Sequence, residues 1–215
     1  HPPSSDRMTA ALTRLRRADG LIAELQSQTD RLVNDLPALK DGLIQTAVEE
    51  WAASWLPPNP GPNTAQGWSC PQSLRRALGA HTARLAQGFE SLRQQLEDAL
   101  AEARHQVAPR NPAAESLPKP RGLPLFDAES LPPVPLRRPP APVRWLGPRA
   151  VRRWAVSRLH RTLDPALTEA LNDYRRRLRQ WSSQMLAEMR AAFDAQAGPL
   201  RAQLESRATA PGPEA

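Results

Sequence analysis

From Met8 to Leu39 the chain returns to the same face every three or four residues. Met8, Leu15, Ile22, Thr29 and Leu36 form one column, and Ala11, Ala18, Leu25, Leu32 and Leu39 form the other. Two largely apolar columns at heptad spacing predict a helix that needs partners for that face. Ser4 or Ser5 with Asp6 supplies a cap for its start. Pro37 is expected to interrupt or kink it, because proline lacks the backbone donor and crowds the preceding turn. The stretch "ALKDGLIQTAVEEWAASWL" carries the pattern on to Leu56, and "PPNPGPNTAQGWSCP" then reads as a turn-forming loop.

A second long pattern runs from Gln72 to Val107, with Leu78, Leu85, Phe89, Leu92, Leu96, Ala99 and Ala103 three or four apart. A straight helix of that length would span roughly 50 Å. Residues 108–146 hold eleven prolines, including "LPPVPLRRPPAPV", and predict an extended or polyproline-like path. A plain linker or a P-x-x-P ligand would suit that composition. The interspersed Leu123, Leu125, Phe126, Leu131 and Val134 favour a strap packed across helices. The last pattern starts near Pro148, a suitable first-turn residue, and is expected to kink or divide at Pro165. It continues through Leu167, Leu171, Tyr174, Leu178, Trp181 and Met185, then Leu186, Met189 and Phe193, with a polar back.

No strand pattern of any length interrupts this series. The expected fold class is all-α: four or five helices in an elongated antiparallel bundle tied by a proline-rich strap. By position, 1–107 supplies long helices with a Pro/Gly loop near 57–71, and 108–146 the strap or linker. Basic amphipathic helices over 147–205 complete the bundle, and 206–215 is expected to be a disordered tail.

Composition agrees, since Ala, Leu and Arg are abundant, β-branched residues are sparse and only 10 of 215 residues are Gly. The net charge of +7 is uneven. Residues 1–56 carry six bases and eight acids, whereas 147–215 carry twelve bases and seven acids. The basic half suits an anionic partner or a solvated helix face. A lone cysteine, Cys70, allows no internal disulfide and suggests a reducing, cytoplasmic compartment. No apolar run reaches the about 18 residues of a membrane span. The first residue is His1 rather than methionine, so a segment of a longer protein is expected.

Catalytic constellations are missing. The sequence holds no G-x-x-x-x-G-K-S/T, no G-x-G-x-x-G, no H-E-x-x-H and no C-x-x-C, and His1, His81, His105 and His160 are scattered. Glu49 and Glu50 are adjacent and cannot share a helix face. No catalytic, cofactor or metal residue is therefore assigned. The strongest local signal is "PPAPVRWLGPRAVRRWAVSRLHR", residues 139–161, with two tryptophans, six arginines and no acid. On a helical projection Val151, Trp154, Ala155 and Leu159 share one face, and Arg149, Arg152, Arg153 and His160 the other; Arg158 falls among the apolar residues. Trp145, Arg149, Arg152, Arg153 and Trp154 are candidate contacts to lipid or another anionic partner, with rings at the headgroup boundary and guanidinium groups on phosphate. The competing reading puts both tryptophans in the core and the arginines in solvent or against neighbouring acids. Trp51, Trp55 and Trp68 flank the first loop and read either as a membrane-touching tip or as a capped cluster. For "YRRRLRQW", residues 174–181, nucleic-acid phosphate is the weaker alternative to a bundle helix with Tyr174, Leu178 and Trp181 inward.

In order of segments, the run "ESLPPVPLRRPPAPVRWLGPRAVRRWAVSRLHRTLDPALTEALNDYRRRLRQWSSQMLAEMRAAF" resembles the carboxy-terminal helical region of bacterial dynamin-like GTPases. It covers about a third of the chain, and "ARLAQGFESLRQQLEDALAEA" before it is compatible. The resemblance implies a stalk that self-associates and couples GTP hydrolysis, with GTP and magnesium held elsewhere in a larger protein, to membrane remodelling at a peripheral cytoplasmic site. The family's nucleotide-binding motifs have no counterpart here. The alternative is a non-enzymatic helical scaffold that binds partner helices.

Overall fold

The computed structural model describes residues 5–53, 72–107, 116–127 and 139–209. In chain order the helices are α1 (Ser5–Ala53), α2 (Gln72–Val107), α3 (Ala141–Trp145) and α4 (Pro148–Thr209). No strand occurs among the described residues, and the fold is an all-α helical bundle.

Two prolines expected to interrupt or kink helices do not interrupt them. α1 continues through Pro37 and α4 through Pro165. Each proline removes one ladder hydrogen bond and pushes on the carbonyl four residues back, and contacts to neighbouring helices hold the chain there. Beside Pro37, the His81 ring of α2 donates Nε2–H to the Leu32 carbonyl at 2.8 Å. Beside Pro165, Lys40 pairs with the Asp164 carboxylate and reaches Thr168 Oγ1 at 3.2 Å. Arg175 donates to Asn34 Oδ1 at 2.6 Å further along the same pair of helices. Tertiary contacts thus lie near both prolines.

The described chain divides into two compact units. The first takes α1 up to Arg31, α2 from Arg84, the strap up to Leu123, and α4 from Arg179. Its core joins Leu15, Ala18 and Ile22 of α1, Phe89, Leu96 and Leu100 of α2, Leu117 of the strap, and Met189, Phe193 and Leu204 of α4. Polar ties fix the directions. Arg14 of α1 meets Glu102, and Arg16 and Leu15 meet Glu205 and Arg201 of α4. Phe89, Arg104 and Gln106 of α2 meet Trp181, Gln196 and Arg207 in ascending order. In this unit α2 and α4 therefore run parallel, and α1 runs antiparallel to both. Consecutive helices that run parallel need a long crossover, and the proline-rich stretch supplies it.

The second unit takes α1 from Leu32, α2 up to Ala83, the strap from Pro124, and α4 up to Leu178. Val33, Leu36, Leu78, Leu167, Leu171 and Leu178 are buried there. At its centre the Thr82 hydroxyl donates to the Leu78 carbonyl at 2.8 Å, so its single proton is used. The 2.6 Å contact with Tyr174 is then a bond in which the phenol donates to Thr82 Oγ1. Burial pushes the Tyr174 phenol above its ordinary value and keeps it a donor. Phe126 of the strap stands edge to face on Tyr174, with centroids 5.6 Å apart.

The strap departs from expectation in two places. Residues 116–127 have neither helix nor strand, but 141–145 form α3 inside the region expected to be extended. Leu125 was placed against the helices and is 74 % exposed, while Leu123 and Phe126 are half-buried. Leu131, Val134, Trp55, Trp68 and Cys70 lie outside the described residues. At the far end α4 runs to Thr209, four residues into the expected tail.

The heptad positions of α1 differ in burial. Met8, Leu15, Ile22, Thr29 and Leu36 are buried, as are Ala11, Ala18 and Leu25, while Leu32 and Leu39 are half-buried. Truncating the fully buried Leu96 to alanine is expected to lower unfolding free energy by about 2–5 kcal/mol. Tyr174→Phe, which keeps the ring contact and loses one hydrogen bond, should cost about 1 kcal/mol. Leu125→Ala should stay within about 0.5 kcal/mol. Urea unfolding followed by circular dichroism measures all three, and equal losses at Leu96 and Leu125 would contradict the packing described.

Candidate functional site

The segment 139–161 folds as a corner in the second unit. Pro140 sits at φ −55°, ψ 148°, and its carbonyl accepts the Val143 and Arg144 N–H groups at 2.9 and 3.1 Å to start α3. One turn later the helix stops. Leu146 N–H reaches the Pro142 carbonyl at 3.2 Å, and Gly147 N–H reaches Arg144 at 3.2 Å. Gly147 has φ 88°, a left-handed conformation that side-chain-bearing residues adopt at a cost. Its own carbonyl accepts Ala150 and Val151 N–H at 3.1 and 3.2 Å. A single glycine thus ends α3 and begins α4, with Pro148 in the first position, where its missing donor is not needed.

The corner turns its largest apolar groups outward. Trp145 is 89 % exposed and Leu146 76 %. No residue of α3 is buried. Arg144, Arg149, Arg152 and Arg153 are exposed around them. Trp154 is different: it is half-buried, and the Arg158 guanidinium carbon lies 5.6 Å from the centre of its ring. Val151 and Ala155 on the neighbouring face are buried. Of the five candidate contacts, four therefore lie on the surface, and Trp154 belongs to the packed side of α4. Leu146 was missed by sequence reasoning; its only signal was its place directly before a Gly-Pro helix break.

The charge arrangement works against helix stability. α4 has no acid in its first turn. Arg149 in that turn opposes the positive end of the helix dipole, at a typical cost of about 0.3–1 kcal/mol. Arg152 and Arg153 follow at three and four residues, the spacings at which like charges repel by about 0.2–0.5 kcal/mol a pair. The next acid along α4 is Asp164, which Lys40 engages. Its carboxyl is held below the ordinary 3.8 by the Lys40 hydrogen bond first, against desolvation, and then by the charges of Lys40 and His160.

Among the described residues no group of three or more His, Cys, Asp or Glu is placed to hold a metal ion. His81 is buried with Nε2 on a backbone carbonyl, far in sequence from any candidate nucleophile. No described helix is long and apolar enough to cross a membrane.

A depressed carboxyl contributes stability above its unfolded value and loses it as the pH falls through the folded one. The Lys40–Asp164 contribution is therefore expected to be complete above pH 3.8 and to fade below it. Asp164→Asn should lower the melting temperature at pH 7, in the same direction as Lys40→Ala, and flatten its fall in that acid range. Melting curves between pH 2 and 7 by circular dichroism check this, and an unchanged acid limb in both variants would contradict the pairing.

No protein-family model, no curated protein and no solved structure matches the chain.

Proposed function

We propose that this chain is a non-catalytic, stalk-like helical segment that meets anionic membrane surfaces through the α3–α4 corner, as part of a larger dynamin-like GTPase. The observation that carries the membrane contact is the pairing of an exposed Trp145–Leu146 tip with exposed Arg149, Arg152 and Arg153. Indole and leucine leave water favourably at a headgroup boundary, and guanidinium groups bind phosphate there with two parallel donors. The surrounding lipid phosphate also removes the dipole and like-charge penalties that the corner carries alone. The stalk assignment is supported by the resemblance of segment order, and its self-association and GTP coupling rest on that likeness.

Flotation with phosphatidylserine-containing and pure phosphatidylcholine vesicles tests the membrane half. Binding is expected on the anionic vesicles at low salt and should weaken as salt rises. Each arginine near such a surface contributes about 1 kcal/mol. Replacing Arg149, Arg152 and Arg153 with glutamine should thus weaken binding by about 100-fold. Trp145→Ser with Leu146→Ser should weaken it at least about tenfold, from partial loss of the about 1.5–3 kcal/mol that burying each side chain contributes. Equal recovery of the unaltered protein with both vesicle types would refute the contact. A reading frame upstream that lacks a GTP-binding loop would refute the stalk assignment separately.

A further inference from the structure

The first turns of α2 carry Arg75, Leu78, Gly79 and Thr82 at steps of three, one and three, so the four share one face of the helix. In the second unit these residues and Leu125, Phe126 and Asp127 of the strap line an opening of about 320 Å³. That size lies at the small end of ligand pockets, which run from about 300 to 1,000 Å³.

The inner side of this opening is held by the fold itself. Leu78 is buried, Thr82 uses its proton on the Leu78 carbonyl, and the Tyr174 phenol donates to Thr82. Phe126 stands edge to face on Tyr174. These contacts fix the lining before any ligand arrives, and the hydroxyl protons there are already used. Gly79 keeps the space before α2 open: a Cβ there would meet nothing within 4 Å, and its φ is not positive. Neither packing nor backbone conformation accounts for the missing side chain. Leu125, 74 % exposed, adds apolar surface that the fold leaves in water.

The charges narrow the choice of ligand. Arg75 is exposed and has no hydrogen-bond or ion-pair partner among the described residues. Asp127 has a partner of its own in the chain, and its carboxylate in the lining disfavours a second negative group. A guanidinium without a counter-charge, a carboxylate in the same lining, and apolar surface on Leu125 and Phe126 call for one anionic group with a hydrophobic remainder. We infer that this opening is a binding site for small apolar monocarboxylates, the anions of free medium-chain fatty acids, with the carboxylate on Arg75 and the hydrocarbon over Gly79 against Leu125 and Phe126.

Such a ligand needs both of its halves. A guanidinium and a carboxylate form two parallel charge-assisted bonds, yet an exposed pair alone gains little over water. Hydrocarbon laid on Leu125 and Phe126 removes apolar surface from water on ligand and protein together. Acetate lacks the second contribution and 1-octanol the first, while octanoate carries both. The inference is independent of the membrane reading, since it uses none of the corner residues.

Isothermal titration calorimetry of the full chain with octanoate, 1-octanol and acetate tests the site. Octanoate is expected to bind saturably, and 1-octanol and acetate at least about tenfold more weakly. Arg75→Gln should weaken octanoate at least about tenfold and leave 1-octanol unchanged. Gly79→Leu puts a side chain into the opening and should abolish octanoate binding without lowering the melting temperature, because leucine is the better helix former and meets open space. Leu125→Ala should weaken octanoate by about threefold or more, and Trp145→Ser with Leu146→Ser should leave it bound as before. Absence of saturable octanoate binding, or binding that survives both Gly79→Leu and Leu125→Ala, overturns the site. Undiminished binding by Arg75→Gln overturns the carboxylate class. Loss of binding in the Trp145→Ser, Leu146→Ser chain moves the apolar anion to the corner and overturns the site as well. Should Gly79→Leu fail to fold, Leu125→Ala alone decides the location.

Discussion

Two long helices that follow one another in the sequence and pack side by side in the same direction cannot be joined by a short turn. In the first unit the contacts of Phe89, Arg104 and Gln106 with Trp181, Gln196 and Arg207 impose this condition on α2 and α4. The chain between them has to travel back before α4 begins. A helix in that role would have needed its own apolar face, and a flexible polar linker would have cost more entropy on ordering. A proline-rich strap loses less, because its backbone is already restricted. Extended backbone still has polar groups to satisfy. Glu97 and Trp181 answer that need at Leu117 and Arg121, while the Leu117 side chain joins the core.

The same reasoning explains how polar groups come to lie deep in the second unit. Thr82 and Tyr174 satisfy one another and the Leu78 carbonyl, so the phenol is buried without an orphaned donor. Phe126 then covers the ring from the strap side. Pro37 and Pro165 each remove one donor from a helix ladder, and the His81–Leu32 and Lys40–Asp164 contacts lie nearby. A propensity argument confined to one helix left interruption open at both prolines, and both helices continue through them.

That contrast marks what was legible in the sequence. The stripe of α2 gave its extent, because thirty-six residues without proline or a competing period leave no other reading. The inward set of α4 was legible for Leu167, Leu171, Tyr174 and Leu178, all buried. The direction of α4 relative to α2 was not, since periodicity tells which face is apolar and says nothing of which way its neighbour runs. α3 was hidden inside a proline-rich stretch, where Pro140 and Pro142 read as extended but also suit a helix start. The two tryptophans of the corner looked equivalent in the sequence. They differ in the structure because Trp154 sits one turn along a face whose Val151 and Ala155 are covered, whereas Trp145 ends a helix of five residues that covers nothing.

Most arginines of α4 do have structural work. Arg176 and Arg177 share Asp173, Arg190 faces Asp19, and Arg201 donates to the Leu15 carbonyl at 2.9 Å while lying 5.9 Å from the centre of the Phe193 ring. Basic charge by itself therefore says little about partners in this chain. The corner is set apart by the sum of its departures from local stability: a cation where the helix dipole disfavours one, like charges one turn apart, and two large apolar side chains in water. Any one of these would be an ordinary imperfection, worth a fraction of a kcal/mol or so. They coincide on a glycine-hinged turn, and no residue of α3 is buried. An anionic surface with an apolar interior would turn all three from costs into contacts at once, and neither a purely acidic nor a purely apolar partner would do so.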